Sequence, residues 1–297
     1  MCRYLFILIA GLVASGVAAA ADLKVAAFHP LLADLARQVG GTRVEVIELI
    51  STNGDPHHFE PSPEDLQKAT GSRLYLVAGM GLEAFRSSLE TIVSGNSQII
   101  EVGRTLPVLH GEADDHDHAT HDSHEIDPHW WHSIDRFRRA ATVVAEAFAT
   151  ADPAGAEIYR TNAAGYRDRL DTLERWARVK LSAIPRDRRQ LATSHAAFNY
   201  FCSDFGFTAF PVQGLNREQS PDPAVLAALI HDLHEHHVVA LFPEKESNPK
   251  LLAAITRDTN IRLGQPLIAD GTNSATYEEM VRYNVESIVS GLTGKQP

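Results

Sequence analysis

PAGAEIYRTNAAGYRDRLDTLERWARVKLSAI, residues 153–184, decides the fold. Nearly every residue in it is a helix former. Apolar side chains recur at helical spacing (Ile158, Tyr166, Leu170, Leu173, Ala177, Leu181), and Ser182-Ala183-Ile184-Pro185 ends the run. At ~1.5 Å per residue, roughly thirty residues reach about 45 Å, longer than an ordinary crossover helix. Residues 151–185 therefore read as a rigid strut between two halves of the chain, with two shorter helices meeting at a kink as the alternative.

On either side of that strut, short β-branched runs alternate with helical ones. Before it, strands are expected at Leu23–Phe28, Arg43–Leu49, Leu74–Ala78 and Ile99–Val102, with helices at Leu31–Val39, Pro63–Ala69 and Leu82–Ile92. After it, strands are expected at Gln190–Thr193, Thr208–Val212, Val238–Phe242 and Pro266–Ala269. The helices of this half are Ala197–Phe205, Pro223–His236, Asn248–Thr259 and Thr276–Leu292. Alternation of this kind predicts parallel sheets, with ligands bound beyond the C-terminal ends of the strands. The expected architecture is α/β: two lobes, 22–150 and 186–297, each a parallel sheet flanked by helices, joined by one long rigid helix.

The chain has 297 residues, 44% hydrophobic and 22% charged, which are globular values. A formal charge of -11 argues against nucleic acid, whose binding depends on Lys and Arg neutralising phosphates, and suits a cationic partner. Residues 1–21 carry one charge, Arg3, then an apolar run from Tyr4 to Ala14, then small residues ending at Ala21. That is a secretory leader cleaved after Ala21, and its apolar core is too short for a membrane anchor. The expected location is the periplasm. With Cys2 removed, Cys202 stands alone, so no intramolecular disulfide is expected.

The unusual count is 15 histidines against 2 cysteines and 3 methionines. Sulfur-only metal sites are excluded, whereas imidazole–carboxylate sites are not. His110–Ile126 (HGEADDHDHATHDSHEI) interleaves His110, His116, His118, His121 and His124 with acidic residues and has almost nothing apolar to bury. It reads as a metal-attracting surface loop rather than an ordinary acidic one.

Four further places put a ligand-type side chain after a strand or in a stiff turn: Asp55-Pro56-His57-His58-Phe59-Glu60-Pro61, Asp127-Pro128-His129-Trp130-Trp131, Thr193-Ser194-His195, and Ile268-Ala269-Asp270-Gly271. Taken singly, a strand-end histidine is more often a structural, hydrogen-bonded residue. Together, three imidazoles and a carboxylate make a closed tetrahedral set of the type zinc takes, with nitrogens at ~2.0–2.1 Å. Two such places come from each half, so a joint site would lie between the lobes.

The Pro-His-x-Phe-Glu-Pro loop, Asp-Pro-His-Trp, and Thr-Ser-His-x-Ala-Phe-x-Tyr-Phe together resemble the metal-binding, ZnuA-like solute-binding proteins of ATP-binding-cassette (ABC) importers. Gly214-Leu215 followed by Ser220-Pro221, and Tyr277, Met280, Tyr283 and Asn284 in the last helix, fit the same pattern, and the similarity runs from about Leu23 to Leu292. The resemblance implies a metal bound between two lobes by His57, His129, His195 and Asp270, with His57 chosen over His58 because the histidine directly after proline binds in the family. It also implies zinc (Zn2+), since manganese-type members have Glu where His195 stands and imidazole suits zinc. A membrane ABC permease is the implied partner, with a periplasmic zinc metallochaperone as a further donor and the protein itself a monomer. The zinc-type members share a His-rich loop before Asp127, while the disulfide many of them carry is missing here.

Several residues are placed around this set. Glu60 is positioned to accept a hydrogen bond from a ligand imidazole, and His29 to support the site without binding. Glu244 and Glu246 are read as solvated or supporting residues. His231, His234, His236 and His237 end a helix, where imidazoles complement its dipole; a weak surface metal site is the alternative reading. A zinc-capture protein that catalyses nothing is the leading function. A metal-binding surface adhesin is one alternative. A zinc hydrolase is another, disfavoured because a fourth ligand is on offer and no helical His-Glu-x-x-His occurs.

Overall fold

Buried apolar runs punctuated by capping residues build two open sheets in the computed structural model, which describes residues 22–50, 54–93, 95–109, 126–215, 222–244, 247 and 249–294. Residues 1–21, expected as a leader, the histidines from His110 to His124, Ser220-Pro221 and Glu246 lie outside the described residues. In the first sheet β1 (Leu23–Ala27), β2 (Val44–Glu48), β3 (Leu74–Val77) and β4 (Gln98–Glu101) pair in parallel in the order β2-β1-β3-β4. In the second, β5 (Gln190–His195), β6 (Thr208–Gln213), β7 (Ala240–Phe242) and β8 (Arg262–Leu263) pair in parallel in the order β6-β5-β7-β8. The two lobes share one topology, and each opens a crevice where its strand order reverses.

Helices cover the faces: α1 (Pro30–Gly40), α2 (Pro63–Ala69), α3 (Arg86–Ile92), α4 (Ile134–Ala151), α5 (Ala156–Leu181), α6 (Asn199–Phe205), α7 (Pro223–Glu235), α8 (Pro249–Thr259) and α9 (Tyr277–Thr293). Their boundaries follow local chemistry. Ser62 and Asp65 close a reciprocal capping box on α2 with Pro63 in its first turn. Gly206, at φ 67°, ends α6 in the left-handed conformation that a side chain would disfavour.

α5 is a single helix of 26 residues, about 39 Å long, with no break. Its buried stripe starts at Tyr159 and continues through Ala163, Tyr166, Leu170, Leu173, Ala177 and Leu181, whereas Ile158 is 46% exposed. α5 is not an isolated strut. One apolar cluster contains Leu31 of α1, Phe137 and Phe148 of α4, Tyr166 and Leu170 of α5, Phe242 of β7, and Met280 and Ile288 of α9. Both lobes therefore share a core. Phe137 and Tyr277 stack face to face within it, centroids 3.6 Å apart. The Tyr277 N–H donates to Asp34, which ties the start of α9 to α1 across the molecule. Among the described residues, no helix is long and apolar enough to cross a membrane.

Three elements differ from the sequence reading. α4 has no counterpart in it, although Ser133 caps the helix and Ile134, Phe137, Val144 and Phe148 fall on one buried face. α3 starts at Arg86 rather than Leu82, because the buried Glu83 carboxyl accepts from Ala78 N–H (2.5 Å) and Gly79 N–H (3.0 Å) and holds 78–83 as a turn. The last strand is Arg262–Leu263, and Pro266–Ala269 is not one: Leu267 makes a single bridge to Glu244. Gly264 lies against the Phe242 ring and Pro266 has no N–H to give, so the ladder stops early.

The Asn284 amide replaces that ladder. It accepts from Ile268 N–H (2.9 Å) and donates to Ile268 C=O (2.8 Å), fixing the segment that leads to Asp270. Asn284→Ala should leave both backbone groups unmatched and lower the unfolding free energy by roughly 1–3 kcal/mol. Urea denaturation of the metal-free protein checks this, and an unchanged midpoint would show that the brace contributes nothing.

Candidate metal centre

Three of the four singled-out places deliver a histidine to one spot between the lobes, and the fourth brings Asp270 up to its His57 side. His57 comes from the loop after β2. Asp55 shapes that loop, one carboxylate oxygen accepting from His57 N–H (2.9 Å) and the other meeting His58 Nδ1 (2.9 Å). The turn directs His57 inward, its side chain 10% exposed, and His58 outward, 44% exposed. His129 lies just ahead of α4 and is fully buried. Asp127 takes both its backbone N–H (2.9 Å) and its Nδ1 (2.8 Å) on one oxygen. Asn199 donates to the other Asp127 oxygen (3.1 Å), and Tyr200 O–H donates to the Asp127 carbonyl (2.8 Å). Residues of the second lobe thus hold the motif of the first.

His195 is the last residue of β5 and is also fully buried. Glu244, beyond β7, accepts its N–H (3.2 Å) and meets its Nδ1 (2.6 Å). Ser247 in turn donates its Oγ proton or accepts one at Ser194 (2.5 Å) and accepts the Glu244 N–H (2.6 Å).

The three Nε2 atoms converge. His129 Nε2 is 3.1 Å from His57 Nε2 and 3.3 Å from His195 Nε2. An ionised carboxylate has no proton to donate, so the Nδ1 atoms of His129 and His195 carry their ring protons and both Nε2 atoms present lone pairs. Two lone pairs at that separation repel unless a cation lies between them. Ligands at ~2.05 Å in a tetrahedron sit about 3.3 Å apart, which matches the observed spacing. Asp270, 3% exposed, brings Oδ1 within 3.8 Å of His57 Nε2. His57, His129 and His195 offer atoms within 4.8 Å of one another, as do Asp55, His57 and Asp270. Beside Asp270 opens a cavity of about 540 Å³ lined by Asp55, Glu244, Glu279 and Tyr283 among others.

Not every expected side chain is at the centre. Glu60 is exposed and makes no hydrogen bond to an imidazole among the described residues; the carboxylates that hold the rings of His129 and His195 are Asp127 and Glu244. His231 pairs with Glu235 (3.6 Å) and the His236 ring lies on Phe210. No three of the helix-end histidines come together among the described residues. His29 is buried behind the centre, its ring 4.5 Å from that of Trp131. His132, which sequence reasoning passed over, is buried against Phe198.

Residues 25–291 match the family model described as ZnuA, zinc-uptake complex component A, periplasmic. The manganese-binding lipoprotein MntA of Halalkalibacterium halodurans is 27% identical over 278 residues, 91% of this chain and 89% of the relative. The manganese ABC transporter substrate-binding lipoprotein PsaA of Streptococcus pneumoniae is 26% identical over 275 residues, again 91% and 89%. Among solved structures, the periplasmic zinc binding protein TroA of Treponema pallidum superposes with a TM-score of 0.80 at 23% identity, covering 92% of this chain and 99% of that one. A manganese-bound periplasmic metal binding protein of Candidatus Liberibacter asiaticus gives 0.80 at 21%, covering 91% and 99%. These structures share the two-lobe fold.

Burial pushes the His29 imidazole down to about 4 and that of His132 down to about 3. Both stay neutral in the folded protein at pH values where the unfolded chain, near 6.5, takes up protons. The stability they contribute is therefore complete above about pH 6.5 and is lost as pH falls through the lowered values. His132→Phe removes one such group. In metal-free protein, wild type should lose more unfolding free energy than this variant between pH 7 and pH 4, measured by urea titrations at stepped pH. A pH-independent difference would contradict the assignment.

Proposed function

Because the chain belongs to the ZnuA family of periplasmic zinc-uptake components, we propose that it captures Zn2+ between its lobes and delivers it to a membrane ABC permease. Membership carries the coarser statement, an extracytoplasmic metal-binding component of an ABC transporter that is not an enzyme. Zinc goes beyond that statement and does not follow from the relatives, several of which are named for manganese.

The observation that carries it is the pair of Nε2 lone pairs of His129 and His195, 3.3 Å apart with their Nδ1 protons engaged by Asp127 and Glu244 respectively. His57, His129, His195 and Asp270 are the proposed ligands. Three imidazoles and one carboxylate suit zinc, whereas manganese prefers oxygen-rich sites. Deprotonated, pre-oriented nitrogens also spare the cation the cost of displacing protons. The carboxylate of Asp270 is the weaker and more movable ligand, and movement of its segment is the proposed release step.

The remaining assignments extend this reading. Residues 1–21 are a cleaved leader, 22–150 and 186–297 the lobes, and 151–185 the link between them, whose helix is Ala156–Leu181. The protein acts as a monomer. His110, His116, His118, His121 and His124 collect zinc weakly and pass it inward, taking it from solution or from a metallochaperone.

Titration of stripped protein with Zn2+ and Mn2+ against a chelator should give one tight zinc equivalent and a weaker manganese one. His195→Ala should weaken zinc by more than the 10- to 100-fold typical of losing an outer hydrogen-bond partner. Tight manganese in place of zinc would reject the metal assignment. Asp270→Ala should speed zinc dissociation on the order of 10-fold in a stopped-flow chelator chase, and an unchanged rate would remove Asp270 from the ligand set. Deleting residues 110–126 should abolish weak additional equivalents and slow loading while leaving the tight one.

A further inference from the structure

His29 caps α1: its Nδ1 accepts the Leu31 N–H at 3.2 Å. A nitrogen that accepts carries no proton, so the neutral ring holds its hydrogen on Nε2. That Nε2 is buried, the residue being 1% exposed, and it has no hydrogen-bond partner. A buried donor without an acceptor costs ~1–3 kcal/mol, and such groups in folded proteins call for an explanation.

Two contacts place the Asp270 segment beside this donor. Gly271, at φ 75°, packs so closely on Leu31, a residue of the helix start that His29 caps, that a Cβ there would come within 2.5 Å of the Leu31 side chain. Trp131, whose ring touches that of His29, donates its indole N–H to the Ala269 carbonyl (2.7 Å). The negative charge of Asp270 also acts on the His29 ring. The residues on both sides of Asp270 are thus fastened to the surroundings of His29.

We propose that His29 is a positioning residue for Asp270: in the zinc-loaded protein its Nε2–H takes one oxygen of the carboxylate while the other faces the cation. This rests on the reading of Asp270 as a zinc ligand. In the zinc-loaded protein such a donor would fix the orientation of a carboxylate that is 3% exposed, and it accounts for a histidine at the cap of α1 instead of the shorter Ser, Thr, Asp or Asn that usually fill that position. Such an outer partner fixes a ligand's orientation and raises its hold on the metal.

His29→Asn tests the proposal, because asparagine supplies an oxygen for the cap and lacks the distant N–H. Zinc dissociation is followed by chelator chase in wild type, His29→Asn, Asp270→Ala and the double variant. His29→Asn should accelerate zinc loss on the order of 10-fold, should leave the melting midpoint of the metal-free protein near the wild-type value, and should add nothing in the Asp270→Ala background. Equal acceleration in both backgrounds, or none in either, would overturn it. If Asp270→Ala alone leaves dissociation unchanged, the ligand reading fails first and the proposal with it. A metal-independent check is the 15N spectrum of the His29 ring in stripped protein, where the proton should sit on Nε2; a proton on Nδ1 would overturn the proposal whatever the zinc kinetics show.

Discussion

Two imidazole nitrogens facing each other with no hydrogen between them are the constraint around which the centre is built. His129 and His195 each give their Nδ1 proton to a buried carboxylate, which leaves the Nε2 lone pairs aimed at a common point 3.3 Å from atom to atom. Such an arrangement is held by its surroundings rather than by mutual attraction. The Asp127 oxygens are shared among His129, its own backbone turn and Asn199. Glu244 holds both the backbone and the ring of His195. Remove either carboxylate and a ring can flip its tautomer, turning a ligand into a donor.

Holding the two rings at that spacing requires the lobes to keep a fixed relation, and the core shows how. The parallel sheets place His195 at the end of β5 and His57 and Asp270 in loops after their last paired strands. Sheets alone would leave the two halves free to turn. α4, α5 and α9 bury their faces in one apolar cluster with α1 and β7, and the Phe137–Tyr277 stack and the Tyr277–Asp34 bond cross from one half to the other. Burial on that scale resists hinge motion, because interiors packed to crystal density deform little.

The sheets, most helices and the three convergent histidines were legible because each rests on local signals: period-two and 3.6-residue patterns, proline–serine helix starts, and rigid Asp-Pro-His turns. Pro63–Ala69 agrees with the structure to the residue, since Ser62, Pro63 and Asp65 specify its start chemically. What was not legible depends on contacts distant in sequence. Glu60 sits three residues after His57 and so seemed the natural partner, whereas the carboxylate that grips His195 is Glu244, 49 positions away. Pro266–Ala269 has strand composition, yet its backbone is satisfied by Asn284 in α9. His132 and the orphan nitrogen of His29 are apparent only once burial is known.

The centre is asymmetric, and the asymmetry bears on release. His129 and His195 are fully buried, each gripped at two points by its carboxylate. His57 and Asp270 come from loops, His57 retains some exposure, and Asp270 borders the 540 Å³ cavity with Asp55, Glu244 and Glu279. On the ligand reading, a cation would lose its outer ligands before its inner ones, and leave through a space whose charged lining is acidic among the described residues. Acidic walls ease the passage of a partly stripped cation by standing in for lost ligands. The same walls disfavour anionic chelators that would compete for the metal. A site with two fixed nitrogens and two movable ligands can therefore be both tight at rest and quick to empty once a partner displaces the Asp270 segment, because the energy holding the cation is divided between parts of the structure that move and parts that do not.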